Sequence, residues 1–210
     1  MNIIKKVLST GGFFGNKDVG LLEQLAALLF VKKIKKKSIL LEEGKINNSI
    51  FYVQKGLLRV YRIHEGKEIN TWFVKEGEFI NSAPSFYYET PSEEYIEALE
   101  DCEILELKKS TYNMMLKNNL KLALFVIDQL YVYLCEYHDQ CQSLRFLSAE
   151  NKYAFLKSKK PEILDRLSQK HIASFLGIET TYLSKIIANY KDFPEIVAEA
   201  KEVKKGLSKK

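Results

Sequence analysis

Cysteine and histidine are scarce in this chain, and the few present are scattered. Cys102, Cys135 and Cys141 are odd in number and lack the spacing of metal ligands, which excludes a disulfide framework and a zinc site. They read as reduced thiols, two of them packed on a helix. Residues 1–101 contain no cysteine, so an N-terminal iron–sulfur cluster has no ligands. His64, His138 and His171 stand far apart, and no paired metal or haem site is expected. No nucleophile–base pair and no phosphate-cradling glycine motif occurs, so the chain is not expected to be an enzyme. No apolar run approaches the roughly 18–20 residues that span a membrane. The opening MNIIKKVLSTGG has two lysines but no apolar stretch before a cleavage site. It reads as neither signal nor transit peptide, and a cytoplasmic protein is expected. One further lack is local: no Arg or Lys occurs between Glu76 and Lys108.

What is present is clearest near the C-terminus, in QKHIASFLGIETTYLSKII, from Gln169 to Ile187. Ile172, Ala173 and Leu176 recur at helical spacing, Gly177 interrupts, and Leu183, Ile186 and Ile187 resume the period. Ala173 permits close approach of two helices, and Gly177 supplies the positive φ of a tight turn. The pattern predicts a helix-turn-helix, whose second helix lies in a major groove. The plainer alternative is an αα-hairpin that only packs. Charge supports the first reading. Residues 147–210 hold 13 Lys and Arg against 8 Asp and Glu, whereas residues 1–146 hold 19 of each. The whole surplus of five falls on the segment carrying this motif, as phosphate neutralisation requires.

Between Ser38 and Leu107 the apolar period is two. Short runs rich in Ile, Val, Phe, Tyr and Trp are separated by Gly44, Gly56, Gly66 and Gly77. Regular turn signals of this kind predict a jelly roll or β-barrel, with HEGKE as a hairpin turn. The lysine run of VKKIKKKS reads as solvated surface without a partner. Leu21, Leu22, Leu25, Leu28 and Leu29 predict a helix over 17–30. Ser110 is placed as the cap of a short helix through Met114 and Met115, and Ser148 as the cap of a later one. A helix from about Leu120 to Leu147 carries Ala123, Ile127, Leu130, Leu134, Tyr137, Cys141 and Leu144 at alternating spacings of four and three, a heptad seam. Leu124, Phe125, Tyr131 and Tyr133 add a second apolar face. One face is expected to bury against the β domain and the other against the same helix of a second copy. A single buried helix in a monomer is the alternative. Pro161 is expected to end the connection before the helix-turn-helix. No strand-like alternation follows Asn189.

This order of elements, with LLEEG, IFYVQKGLLRVYRIHEGKE, VKEGEFI, RFLSAENKYAFL and QKHIASFLGIETTYLSKI as landmarks, resembles the Crp/Fnr family of bacterial transcription regulators. The resemblance covers nearly the whole chain. It implies an α+β fold with three parts. These are a double-stranded β-helix (jelly roll) of the cyclic-nucleotide-binding kind over 1–118, a dimerisation helix over 119–147 and an all-α helix-turn-helix domain over 148–210. It also implies a homodimer through residues 120–147, a palindromic double-stranded DNA operator, and RNA polymerase as a further partner if the protein activates. The family's usual β-hairpin wing is not evident here. By the family's docking, Gln169, Lys170, Thr180, Thr181, Ser184 and Lys185 face DNA.

Members that bind cAMP use a glutamate and then an arginine followed by a small hydroxyl residue. Here Asn81, Ser82 and Ala83 occupy the first place, and Ser92, Glu93 and Glu94 the second. A phosphodiester against these carboxylates without a cation is disfavoured. Neither cAMP nor cGMP is expected to bind, and no cofactor is predicted. An effector pocket of other specificity would draw on Asn81, Ser82, Ser92 and Glu93, with Tyr137 and His138 approaching from the long helix. Two other classes stay open. One is a ligand sensor, for a cyclic nucleotide or another small molecule, whose C-terminal helices mediate protein contacts. The other is a cupin-like enzyme, for which residues 38–107 hold one histidine.

Overall fold

The computed structural model describes residues 29–190, which divide into two compact units. One holds the chain up to Lys67 and Thr71–Tyr133; the other holds Glu68–Asn70 and the chain from Leu134.

The first unit is built on β1 (Phe30–Ile34), β2 (Ile39–Leu41), β3 (Ser49–Lys55), β4 (Leu58–His64), β5 (Lys67–Val74), β6 (Phe79–Ile80), β7 (Tyr95–Ala98) and β8 (Cys102–Lys108). They form two four-stranded sheets, ordered β1-β8-β3-β6 and β2-β7-β4-β5. The period of two sends Phe51, Val53, Leu58, Val60, Trp72, Val74, Ile96 and Ile104 into one shared core. The predicted hairpin joins β4 to β5. Glu65 and Gly66 both take positive φ, at 50° and 74°, as a two-residue primed turn demands. Gly56 has a second reason to be glycine. A Cβ there would lie 2.4 Å from Cys102 Sγ and 3.0 Å from the Cys102 Cα.

The lysine run departs from expectation. It opens as strand β1, antiparallel to β8, and its lysines have partners. Lys32 contacts Glu106, Lys33 lies 3.3 Å from Glu103, and Lys35 lies 2.8 Å from Asp101. These carboxylates are some 70 residues away in sequence, so inspection of the run alone misses them. Phe30 therefore belongs to a strand; the rest of the expected helix over 17–30 lies almost wholly outside the described residues.

Helix α1 (Ala83–Tyr88) between β6 and β7 was not anticipated. In α2 (Lys109–Asn118) the cap position is Lys108, without a side-chain hydrogen bond. Ser110 lies inside the first turn and caps nothing. Helix α3 (Leu120–Phe146) matches the long helix expected. Its Leu122 and Phe125 pack on Tyr52 and Leu105, on the outer face of the first sheet. The Tyr133 ring lies 5.4 Å from that of Trp72. Leu124 and Tyr131, grouped with Phe125 on one apolar face, remain exposed instead, because consecutive residues on a helix point about 100° apart. Cys135 is exposed too, rather than packed; Cys102 is the buried thiol, and Cys141 is half-buried.

In the second unit, α4 (Ala149–Lys159) starts at the predicted cap: the Ser148 hydroxyl accepts from the Asn151 amide at 3.3 Å. Pro161 does not end the connection. It begins α5 (Pro161–Leu164), where its missing N–H costs nothing. Helices α6 (Gln169–Leu176) and α7 (Thr180–Asn189) follow. Tyr153, Ala154, Leu156, Ile163, Leu167, Ile172, Ala173, Leu176, Leu183 and Ile186 are its buried apolar residues among those described. The Lys159 ammonium, 2.9 Å from Asp139, ties α4 to the last turns of α3. The mixed α+β class is as expected. The question of a wing concerns residues after Tyr190, outside those described.

Candidate functional site

Helices α6 and α7 form the predicted turn. Ser168, overlooked in the sequence, caps α6 by accepting from the His171 amide at 3.2 Å. Gly177 ends it with φ 67°, and the Ile178 amide returns to the Ala173 carbonyl at 3.1 Å. Leu183 and Ile186 of α7 are buried against α6 and α4, while Thr180, Thr181, Ser184 and Lys185 are exposed. At 100° per residue these four, with Ala188, define one continuous stripe. Gln169 and Lys170 are exposed at the start of α6. The structure brings two of the predicted readers together: the Ser184 hydroxyl lies 2.7 Å from the Gln169 amide oxygen and 3.0 Å from the Thr180 carbonyl. One residue on this surface was missed. Tyr182, 44% exposed, donates its phenolic hydrogen to Glu150 at 2.6 Å. That bond holds the phenol above its usual pKa and the carboxylate below its own.

The candidate effector residues of the roll separate into two groups. Ser82 and Ser92 are buried and come within 3.3 Å of each other. The Ser82 hydroxyl donates to Glu94 at 2.9 Å, and the Ser92 hydroxyl lies 3.0 Å from the Glu94 carbonyl and accepts from the Glu94 amide. Asn81 beside them is half-buried, whereas Glu93 turns outward to Arg62. Tyr137 and His138 are exposed on the second-unit half of α3.

A buried cation does occur on β4. Arg59, 5% exposed, pairs in register with Glu97 of β7. Its Nε lies 2.7 Å and a terminal nitrogen 2.5 Å from one Glu97 oxygen. The guanidinium also sits 4.0 Å above the Tyr61 ring, and Tyr61 stacks on Tyr95 with centroids 4.9 Å apart. Strand alternation in LLRVYRI marked Arg59 as facing away from Leu58 and Val60, but not that this face is buried.

Of the seven expected heptad positions on α3, Ala123, Cys141 and Leu144 are half-buried. Ile127, Leu130, Leu134 and Tyr137 are each about half exposed. No helix among the described residues is long and apolar enough to cross a membrane.

A strand roll, a long helix and a helix-turn-helix thus follow one another along the described residues. Residues 31–119 match the cyclic nucleotide-binding domain family. Over 193 residues the chain is 22% identical to the cAMP-activated global transcriptional regulator CRP of Pasteurella multocida, covering 87% of this chain and 92% of that one. The fold is also that of FixK2 from Bradyrhizobium japonicum, with TM-score 0.68, 16% identity and coverage of 78% and 85%. A CooA mutant from Carboxydothermus hydrogenoformans gives TM-score 0.66, 19% identity and coverage of 86% and 89%. Together these likenesses show a fold shared with Crp/Fnr-type regulators.

Proposed function

We propose that the chain is a sequence-specific DNA-binding transcription regulator that acts in the cytoplasm as a homodimer joined along residues 120–147. The observation that carries this reading is the exposed polar stripe Thr180, Thr181, Ser184 and Lys185 on a helix whose opposite side is anchored by Leu183 and Ile186. Thr and Ser hydroxyls bond base edges or phosphates, and Thr methyls touch thymine. Gln169 and Lys170, at the amide end of α6, are placed to meet phosphates. The apolar seam of α3 supplies a twofold contact, and paired readers then span half-sites roughly 34 Å apart on a palindrome. RNA polymerase is a further partner if the protein activates.

The roll does not take cAMP or cGMP in this reading. Ser82, Ser92 and Glu94 bond one another, and the buried Arg59 is already neutralised by Glu97. A phosphodiester entering there meets the Glu94 carboxylate, a costly desolvation without a free cation beside it. Calorimetry with either nucleotide tests this, and micromolar affinity would overturn it. The match of residues 31–119 to a nucleotide-binding domain favours a second reading, a small-ligand sensor whose C-terminal helices contact protein. Gel shifts against genomic fragments at defined salt, together with sedimentation, separate the two. The first requires a dimer that selects particular duplexes; a monomer indifferent to all of them refutes it.

A further inference from the structure

The phenol of Tyr182 is fixed at both ends of its ring. Its Cα belongs to α7, and its hydroxyl is bonded at 2.6 Å to Glu150, in the first turn of α4 and 32 residues earlier. Tyr182 lies on the flank of the exposed stripe, one turn before Lys185 on the same side of the helix. An aromatic side chain held in this way presents a rigid apolar surface and loses little freedom on binding. Its hydroxyl is poorly suited to phosphate. The hydrogen is already donated to a carboxylate, and a phosphate drawn to the same hydroxyl would approach that negative charge. The ring remains free for contact, and the apolar group that a major groove offers is the thymine 5-methyl.

We propose that Tyr182 is a specificity-determining residue that reads a thymine methyl through its ring, and that Glu150 is the positioning residue that sets the ring's angle. This rests on the DNA-binding reading given above and deepens it. It names a base preference that Thr180, Thr181 and Ser184 do not require.

The experiment uses the full chain and an operator selected from random duplexes. Each thymidine of the selected site is replaced in turn by deoxyuridine, which lacks only the methyl group. With the unaltered protein, one symmetric pair of replacements is expected to weaken binding about fivefold or more, the low end of a lost base contact. For Tyr182→Ala that penalty should vanish while the penalties at other positions persist. Glu150→Ala should reduce it, and Glu150→Gln, whose amide oxygen still accepts the phenolic hydrogen, should restore it. If no deoxyuridine replacement weakens the unaltered protein, or if Tyr182→Ala keeps the full penalty, the proposal fails while the DNA-binding reading stands. If the unaltered protein selects no duplex at all, that reading fails and takes the proposal with it.

Discussion

Arg59 against Glu97 and Glu106 against Lys32 are ion pairs made between strands of the roll, and Lys108 meets Glu106 from within β8, with at least one partner buried in each. Helix α7 has the opposite arrangement. Its buried side is wholly apolar at Leu183 and Ile186, and Thr180, Thr181, Ser184 and Lys185 face solvent. The roll pairs its buried charges internally; α7 keeps its polar groups at the surface. A chain can therefore contain a cyclic-nucleotide-type roll whose buried cation is committed to a carboxylate, and also a helix whose cation is accessible. The two regions should then fail in different ways when altered.

The largest expected effect is at Arg59. Arg59→Ala leaves the Glu97 carboxylate, 12% exposed, without its partner. Breaking such a pair costs about 3–5 kcal/mol. Urea unfolding should show the loss in the roll, and the double change Arg59→Met with Glu97→Leu should recover most of it. A single variant as stable as the parent would erase the contrast between the regions.

Acid provides the next test. Burial alone would raise the Glu106 pKa, but hydrogen bonds from Lys108, Lys32 and Ser49 outweigh it and hold the carboxyl at about 2, against a usual 4.5. A depressed folded pKa gives stability that is complete above about 4.5 and lost as pH falls towards about 2. The amount is about 3 kcal/mol. Glu106→Gln should flatten the decline in that window, measured as the urea midpoint against pH.

Two glycines sharpen the comparison at smaller scale. Gly56→Ala in the roll combines φ 104° with a 2.4 Å clash on Cys102 Sγ and should cost about 2 kcal/mol or more. Gly177→Ala in the reader has φ 67° and open space around the added carbon, and should cost about 1 kcal/mol. Equal losses in thermal unfolding would mean that the roll does not pack at Gly56 as described. The smallest effect is Lys185→Ala. Fold stability should not change, and the slope of log affinity against log salt should fall by about one. An unchanged slope would remove Lys185 from the phosphate backbone.

Helix α7 was visible in sequence because its signal is local. Within 20 residues the apolar period and one glycine specify both helices, and the structure returns the same inward and outward faces at Leu183, Ile186, Thr181 and Lys185. The hairpin at Glu65 and Gly66 and the long α3 were visible for the same reason. Ser168 as a cap could have been read from Ser-Gln-Lys-His, but Tyr182 could not have been picked out as a fixed residue, since Glu150 is outside any local window.

The amino-acid order by itself determined the strand-rich middle, the heptad helix and the two-helix reader. Each follows from backbone preference and from hydrophobic spacing that a short segment carries alone. Only the tertiary structure decided which charges neutralise which. Arg59 meets Glu97 and Lys32 meets Glu106 because sheet pairing brings distant residues within reach of one another. Electrostatic partnership depends on distance in space, and the sequence records only distance along the chain.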